Sequence, residues 1–318
     1  MRIFDSNTIA TAMPLQNWVN IMQEAVLSTL KGNYFMPPRP HYDYQGNTLL
    51  VMPCFTDDYF ATKLVSVFPK NQAINKPSIY GSVILNDGKT GEALALFDGG
   101  KLTAMRTGAV GGLAIRHLAK ANTKTIGIIG AGIQGLHQAL FACCERDIEE
   151  VYVFDYSKAN KKNFRDEFQN IHSSVQLYFV NSVYSLLEKA DIIITATSSE
   201  KPVFPEDFSE FKNKSIIGVG SYKPSMQEFS NTLLRSVSCI YSDTEHAKTE
   251  TGDLINPLQK GWIKEESIIP LAKLIAEKQK PESTVLFKSV GMALFDLFAA
   301  KAIYEEALKK NVGLEIKW

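Results

Sequence analysis

From Lys124 onward, short β-branched runs alternate with helical patterns. A glycine-rich turn joins the first of those runs to the first of those helices. Before Lys124, strand-like runs follow one another with no helix between them. These observations predict an α/β chain: a Rossmann doubly wound parallel sheet domain plus an α+β domain with an antiparallel or mixed sheet.

The first part opens with a helix. Leu15, Trp18, Val19, Met22, Ala25, Val26 and Leu30 recur at helical spacing, and Gly32 ends the pattern. Pro37-Pro38-Arg39-Pro40 must be an extended loop, because each proline ring fixes φ and removes a donor. Strand-like runs cover Thr48 to Met52, Ala61 to Phe68, Ile79 to Leu85 and Glu92 to Phe97, with a strong turn signal at Asn86-Asp87-Gly88-Lys89-Thr90-Gly91. Small residues around Leu102 to Ala109 read as a helix start.

In the second part, strands are expected at Thr125 to Ile129, Val151 to Phe154, Val175 to Val180, Ile192 to Ala196, Ile216 to Val219 and Ile240 to Tyr241. Helices are expected at Ile133 to Cys144, Lys158 to Phe168 and Val183 to Leu187. After a strand-like run from Thr284 to Phe287, a final helical pattern runs from Ser289 to Leu308. Such a terminal helix commonly packs back on the first domain, which would make that domain discontinuous.

The turn Gly130-Ala131-Gly132-Ile133-Gln134-Gly135 is G-x-G-x-x-G between a strand and a helix, the context a dinucleotide site requires. Gly130 permits the tight turn, Gly132 lets the backbone approach a pyrophosphate, and Gly135 lets helix and strand pack closely. The helix N-terminus offers free N–H groups and a positive dipole end. Asp155 ends the next strand, where a carboxylate accepts from both ribose hydroxyls and repels a 2′-phosphate. NAD is therefore the expected cofactor. NADP is still possible with Lys158 nearby, and FAD is the rival; a plain helix-capping role is the alternative for Asp155.

The 318 residues carry 34 Lys and Arg against 34 Asp and Glu. Zero net charge argues against a nucleic-acid partner, which calls for a basic surface. No apolar stretch approaches the roughly 20 residues that cross a bilayer, so no membrane partner is expected. The opening Met1-Arg2-Ile3-Phe4-Asp5 lacks the apolar run of a signal peptide, and a cytoplasmic location is expected. Cys54, Cys143, Cys144 and Cys239 form no disulfide framework. The five histidines show no paired ligand spacing, so no metal is expected.

Three basic residues of the first part stand in unusual settings: Arg39 in the proline loop, Lys63 within a β-run and Arg106 in the small-residue helix. Arginine suits a carboxylate through its bidentate fork. For Lys63 the alternation is uninformative, because Thr62 and Leu64 share the opposite face.

An ordered set of segments then resembles one family. The set is Pro38-Arg39, Met52-Pro53, Thr62-Lys63-Leu64-Val65, Leu102-Thr103-Ala104-Met105-Arg106-Thr107, the Gly130 loop, Val219-Gly220-Ser221, Glu250-Thr251-Gly252-Asp253 and Val285-Leu286-Phe287-Lys288-Ser289-Val290-Gly291-Met292-Ala293. In this order, across nearly the whole chain, they resemble the ornithine cyclodeaminase/mu-crystallin family.

The resemblance implies a homodimer with a discontinuous substrate-binding and dimerisation domain, residues 1–116 and 295–318, and a Rossmann domain, residues 117–294. It implies that Arg39, Lys63 and Arg106 bind a substrate carboxylate, with Lys63 near the reacting carbon and Val290 lining the pocket. It implies cofactor contacts from Ser78, Arg106, Thr107, Gly130, Gly132, Ile133, Gln134, Gly135, Asp155, Thr197, Gly220, Ser221 and Ser289. Two positions depart from the cyclodeaminase pattern: Tyr222 and Leu50 stand where that pattern has an Asp and a Glu.

Without those carboxylates a diamino acid is a poor substrate. The expectation is an NAD(P)H-dependent reduction of a cyclic ketimine such as pyrroline- or piperideine-2-carboxylate. Arg39 and Arg106 would clamp its carboxylate, Lys63 would stabilise it or relay a proton, and Tyr222 is a candidate proton donor. The alternatives are ornithine cyclodeamination, an alanine-type amino-acid dehydrogenase, and a non-catalytic ligand-binding protein on the same fold.

Overall fold

The computed structural model describes residues 1–74, 76–278, 281 and 284–317. The chain forms two compact units, Met1–Arg106 with Met292–Trp318, and Thr107–Gly291. In chain order the first unit holds β1 (Arg2–Phe4), α1 (Ser6–Thr11), α2 (Leu15–Lys31), β2 (His41–Tyr44), β3 (Asn47–Phe55), β4 (Tyr59–Val67), β5 (Ile79–Asp87) and β6 (Ala93–Asp98). Helix α3 (Gly99–Leu118) carries the chain into the second unit. There follow β7 (Thr125–Ile129), α4 (Ile133–Glu145), β8 (Glu150–Phe154), α5 (Lys158–Ile171), β9 (Gln176–Phe179), α6 (Val183–Lys189), β10 (Ile192–Thr195), β11 (Ser215–Gly218) and α7 (Asn231–Ser236). The second unit closes with β12 (Ile240–Ser242), α8 (Ala247–Glu250), α9 (Gly252–Gln259), β13 (Ile268–Pro270), α10 (Leu271–Glu277) and β14 (Val285–Lys288). The chain returns to the first unit with α11 (Ala293–Lys310) and β15 (Leu314–Glu315).

In the first unit the strand order is β15-β1-β6-β5-β4-β3-β2, antiparallel except for the β1–β6 pair. Cross-strand register places Met52, Lys63 and Val83 in one row and Cys54, Ala61 and Leu85 in the next. All six are buried, and α11 lies on this face against β3, β4 and β5. Register thus settles what alternation left open: Lys63 points into the core face. α2 also packs on α11, and it buries Trp18, Val19, Met22, Ala25 and Val26. It ends at Gly32 with φ +65°, a left-handed conformation that glycine adopts without Cβ strain.

In the second unit the order is β13-β12-β14-β11-β10-β7-β8-β9, and all neighbours are parallel. Strands β10, β11 and β14 are buried along their whole length, as a parallel sheet covered on both faces requires. Each fully buried isoleucine of β10 contributes about 1.5–3 kcal/mol relative to exposure. The order in which successive strands are added reverses between β7 and β10, the topological switch point where ligands of open α/β sheets bind.

One local expectation is corrected and another is borne out. The terminal helix begins at Ala293, not Ser289. Asp243 accepts from Ser289 Oγ and from the backbone N–H of Val290 and Gly291, and Gly291 has φ +74°, so this stretch is held out of the helix. The small-residue segment is the start of a 20-residue helix, α3. Its glycines look like loop formers but serve close packing: a Cβ on Gly108 would stand 2.5 Å from Phe141, and one on Gly111 would stand 1.7 Å from Gln138.

Candidate active site

The glycine loop follows β7 and opens α4. Gly130 has φ +102°, and a Cβ there would lie 2.7 Å from the Ala196 carbonyl. A Cβ on Gly135 would lie 1.9 Å from the Gly130 carbonyl. The fold itself requires these two glycines. Gly132 differs: a Cβ there would meet nothing within 4 Å. Internal packing does not demand a glycine at that point, whereas a phosphate approaching the N-terminus of α4 would. Nearby, Gln134 Oε1 is buried and has no hydrogen-bond partner.

Asp155 follows β8 and ties this region together. Its Oδ2 accepts from Ala131 N at 2.7 Å, and its Oδ1 from Ser157 N at 2.6 Å. Ser157, not Asp155, caps α5 by accepting from Asn160 N. Oδ2 also accepts from Asn160 Nδ2 at 3.3 Å, whereas Oδ1 can take a second donor, so a ribose hydroxyl can still be accepted there.

Thr197, Gly220 and Ser221 meet on one buried carboxylate. Glu228 accepts from Thr197 N and Oγ1 at 2.8 and 2.9 Å, Thr195 Oγ1 at 2.9 Å, Gly220 N at 2.9 Å and Ser221 N at 3.2 Å. These are the segments leaving β10 and β11. Lys288 Nζ lies 2.9 Å from Asp253 Oδ2 and 3.8 Å from Glu228 Oε2, as an ion pair without directed hydrogen bonds. Burial, with Asp253 adding, raises the Glu228 carboxyl above the usual range against the opposing pull of Lys288. Ser289 and Val290 are fixed on Asp243 as described above. Ser221 Oγ is shared between Met226 O and Thr251.

In the first unit, Lys63 and Arg106 are brought together. Lys63 Nζ stands 3.2 Å and Arg106 Nε 3.1 Å from the same oxygen, Asp296 Oδ1. All three side chains are buried. Arg106 commits only Nε, and its two terminal nitrogens have no protein partner among the described residues. Asp296 Oδ2 is buried and also unpartnered. Burial pulls the Lys63 ammonium down to about 8; Asp296 opposes that shift, while Arg106 and Arg39 deepen it. Cys54, in the adjacent row, is pushed up to about 12 by burial, with Asp296 adding, so it is a neutral packing thiol.

Ser78 Oγ is buried without a partner, and Tyr222 is 40% exposed with Lys223 Nζ over its ring. Sequence reasoning missed Asp296, Glu228, Asp243 and Lys288 as organising groups. A signal existed for Asp296, a lone carboxylate among Leu294, Phe295, Leu297 and Phe298.

The model of the ornithine cyclodeaminase/mu-crystallin family matches residues 3–311. A Delta(1)-pyrroline-2-carboxylate reductase of Bacillus thuringiensis subsp. konkukian (strain 97-27) is 38% identical, over 98% of this chain and 99% of its own. Thermococcus litoralis Delta(1)-pyrroline-2-carboxylate reductase, solved in complex with NADH and L-proline, has a TM-score of 0.92 and 32% identity, over 99% of this chain and 100% of that one. An archaeal alanine dehydrogenase dimer with bound NAD has a TM-score of 0.89 and 28% identity, over 100% and 99%.

Proposed function

The chain belongs to the ornithine cyclodeaminase/mu-crystallin family, and from that premise we propose that it is an NAD(P)H-dependent reductase of a small cyclic imino acid, a pyrroline- or piperideine-2-carboxylate. One observation carries the reading: two buried cations share a single carboxylate oxygen, and the two terminal nitrogens of Arg106 have no protein partner among the described residues. That arrangement lacks one anion, and a substrate carboxylate supplies it with bidentate geometry.

Reduced nicotinamide, when bound, supplies a hydride equivalent. The chain's own residues do the rest. Backbone N–H groups at Gly132, Ile133 and Gln134 take the pyrophosphate, with Gly130 and Gly135 shaping the loop, and Asp155 takes the ribose of NAD. Ser78, Thr107, Thr197, Gly220, Ser221 and Ser289 complete that contact set, with Thr197, Gly220 and Ser221 on backbone that Glu228 holds in place. Arg106 and Arg39 clamp the carboxylate, which turns an encounter into a positioned reaction. Lys63 carries its proton below about pH 8 and holds it beside the substrate. Val290 lines the pocket. Tyr222 is a second candidate donor.

The likeness to an alanine dehydrogenase favours a second reading, reductive amination of an open-chain keto acid with free ammonia. Ornithine cyclodeamination is disfavoured, because Leu50 and Tyr222 offer no carboxylate for a diamino acid.

The proposal includes a homodimer acting in the cytoplasm. Tyr42, Leu49, Ser66 and Tyr80 form one cross-strand row on the sheet face opposite α11, and its three large side chains, Tyr42, Leu49 and Tyr80, are exposed. Such exposed large side chains suit a second copy. Among the described residues, no helix is long and apolar enough to cross a membrane.

The test is Lys63→Ala: NADH binding, followed by fluorescence, stays intact while imine reduction falls roughly 10²–10⁴-fold. Full activity in that variant would remove the assignment.

A further inference from the structure

Asp296 stands out because its two oxygens have opposite fates. Oδ1 takes both Lys63 Nζ and Arg106 Nε, whereas Oδ2 is equally buried and takes nothing. Asp296 is the one carboxylate paired with this cluster among the described residues. Register fixes Lys63 on the inner sheet face, and the first turn of α11 presents Asp296 to it. A carboxylate oxygen out of water calls for a donor, and an orphan in a native fold marks a place where something else supplies one.

Resting on the reductase reading, we infer that Asp296 Oδ2 accepts the N–H of the substrate's protonated imine while Arg106 and Lys63 hold the adjacent carboxylate. The covalent structure of the substrate fits this division. In a 2-imino acid the nitrogen and the carboxyl group are bonded to the same carbon. The two Asp296 oxygens likewise share one carbon. A substrate carboxylate on the cations of Oδ1 therefore brings its nitrogen toward Oδ2. The negative charge also stabilises the cationic form of the imine over the neutral one.

The step balances. Lys63, hydrogen-bonded to the same carboxylate, supplies the proton to nitrogen and becomes neutral. The imine carbon takes a hydride equivalent from reduced nicotinamide, and the C=N π pair moves onto nitrogen. The products are the cyclic amino acid and oxidised nicotinamide.

The test compares two ligands of the enzyme–NADH complex by calorimetry. L-Proline carries the ring, the carboxylate and a nitrogen; cyclopentanecarboxylate lacks only the nitrogen. Wild-type enzyme is expected to prefer L-proline by about tenfold or more, the value of one charge-assisted hydrogen bond. In Asp296→Asn the preference shrinks to about twofold or less, with NADH affinity unchanged. A wild-type ratio near one overturns the inference without any variant. Equal weakening of both ligands in Asp296→Asn also overturns it, because Asp296 would then only position Lys63 and Arg106. Asp296→Ser gives the same reading if the Asn variant does not fold. Absence of imine turnover in wild-type enzyme would remove the reductase reading, while the ligand ratio would still judge Asp296.

Discussion

Lys63 Nζ lies 3.2 Å from Asp296 Oδ1, inside a sheet face where its cross-strand neighbours are Met52 and Val83. A lysine among apolar side chains is costly unless paired. Here the pairing is incomplete, because Arg106 draws on the same oxygen. Two cations against one carboxylate leave this cluster with a net positive charge.

The first prediction concerns pH. Burial holds the Lys63 ammonium near 8, below its ordinary value of 10.5. Its proton is present below that point and lost above it, so imine reduction should decline as pH rises through about 8. Lys63→Arg keeps a charge that does not titrate there, and its weaker activity should lack that limb. The check is kcat/KM against pH for both proteins.

Arg106→Lys keeps the charge and loses the fork. The expected result is a rise in KM for the imino acid of about 10–100-fold, with NADH affinity changed far less. Steady-state kinetics with each reactant varied in turn separates the two.

The glycine loop gives a contrast. Gly132→Ala has room for its methyl group and should fold with near-normal thermal stability while losing NADH affinity. Gly135→Ala would press on the Gly130 carbonyl and should lower the melting temperature or abolish folding. Thermal melts with and without NADH distinguish them. Equal loss of stability in both would contradict the idea that Gly132 is kept for a ligand.

Glu228→Ala removes the acceptor for five donors and leaves Lys288 with Asp253 alone. A loss of about 3–5 kcal/mol in urea unfolding is expected. Weaker NADH binding should accompany it, since the segments after β10 and β11 lose their anchor.

For the sheet face, Tyr42→Asp with Tyr80→Asp should halve the mass measured by light scattering if that row joins two copies. An unchanged mass would place the contact elsewhere.

Much of this molecule is legible in its sequence. The parallel sheet and its glycine loop follow from β-branched runs at regular intervals and a motif in its required context. The start of the terminal helix pattern at Ser289 misleads because the segment is apolar and only a distant group, Asp243, holds it extended. Residue type singles out Lys63, but its burial depends on β3–β4–β5 register. Asp296 is far from Lys63 in sequence, and only the packing of α11 on the sheet brings them together. Glu228 is similar: it looks like an ordinary surface acid until the loops it binds are in place.

The most direct measurement follows NADH consumption with pyrroline-2-carboxylate, piperideine-2-carboxylate, and pyruvate plus ammonia, beside NAD with ornithine. The account predicts rapid NADH oxidation by a cyclic imine, with the cyclic amino acid as product and ornithine inert. Proline and ammonia formed from ornithine, with the imines inert, would contradict it.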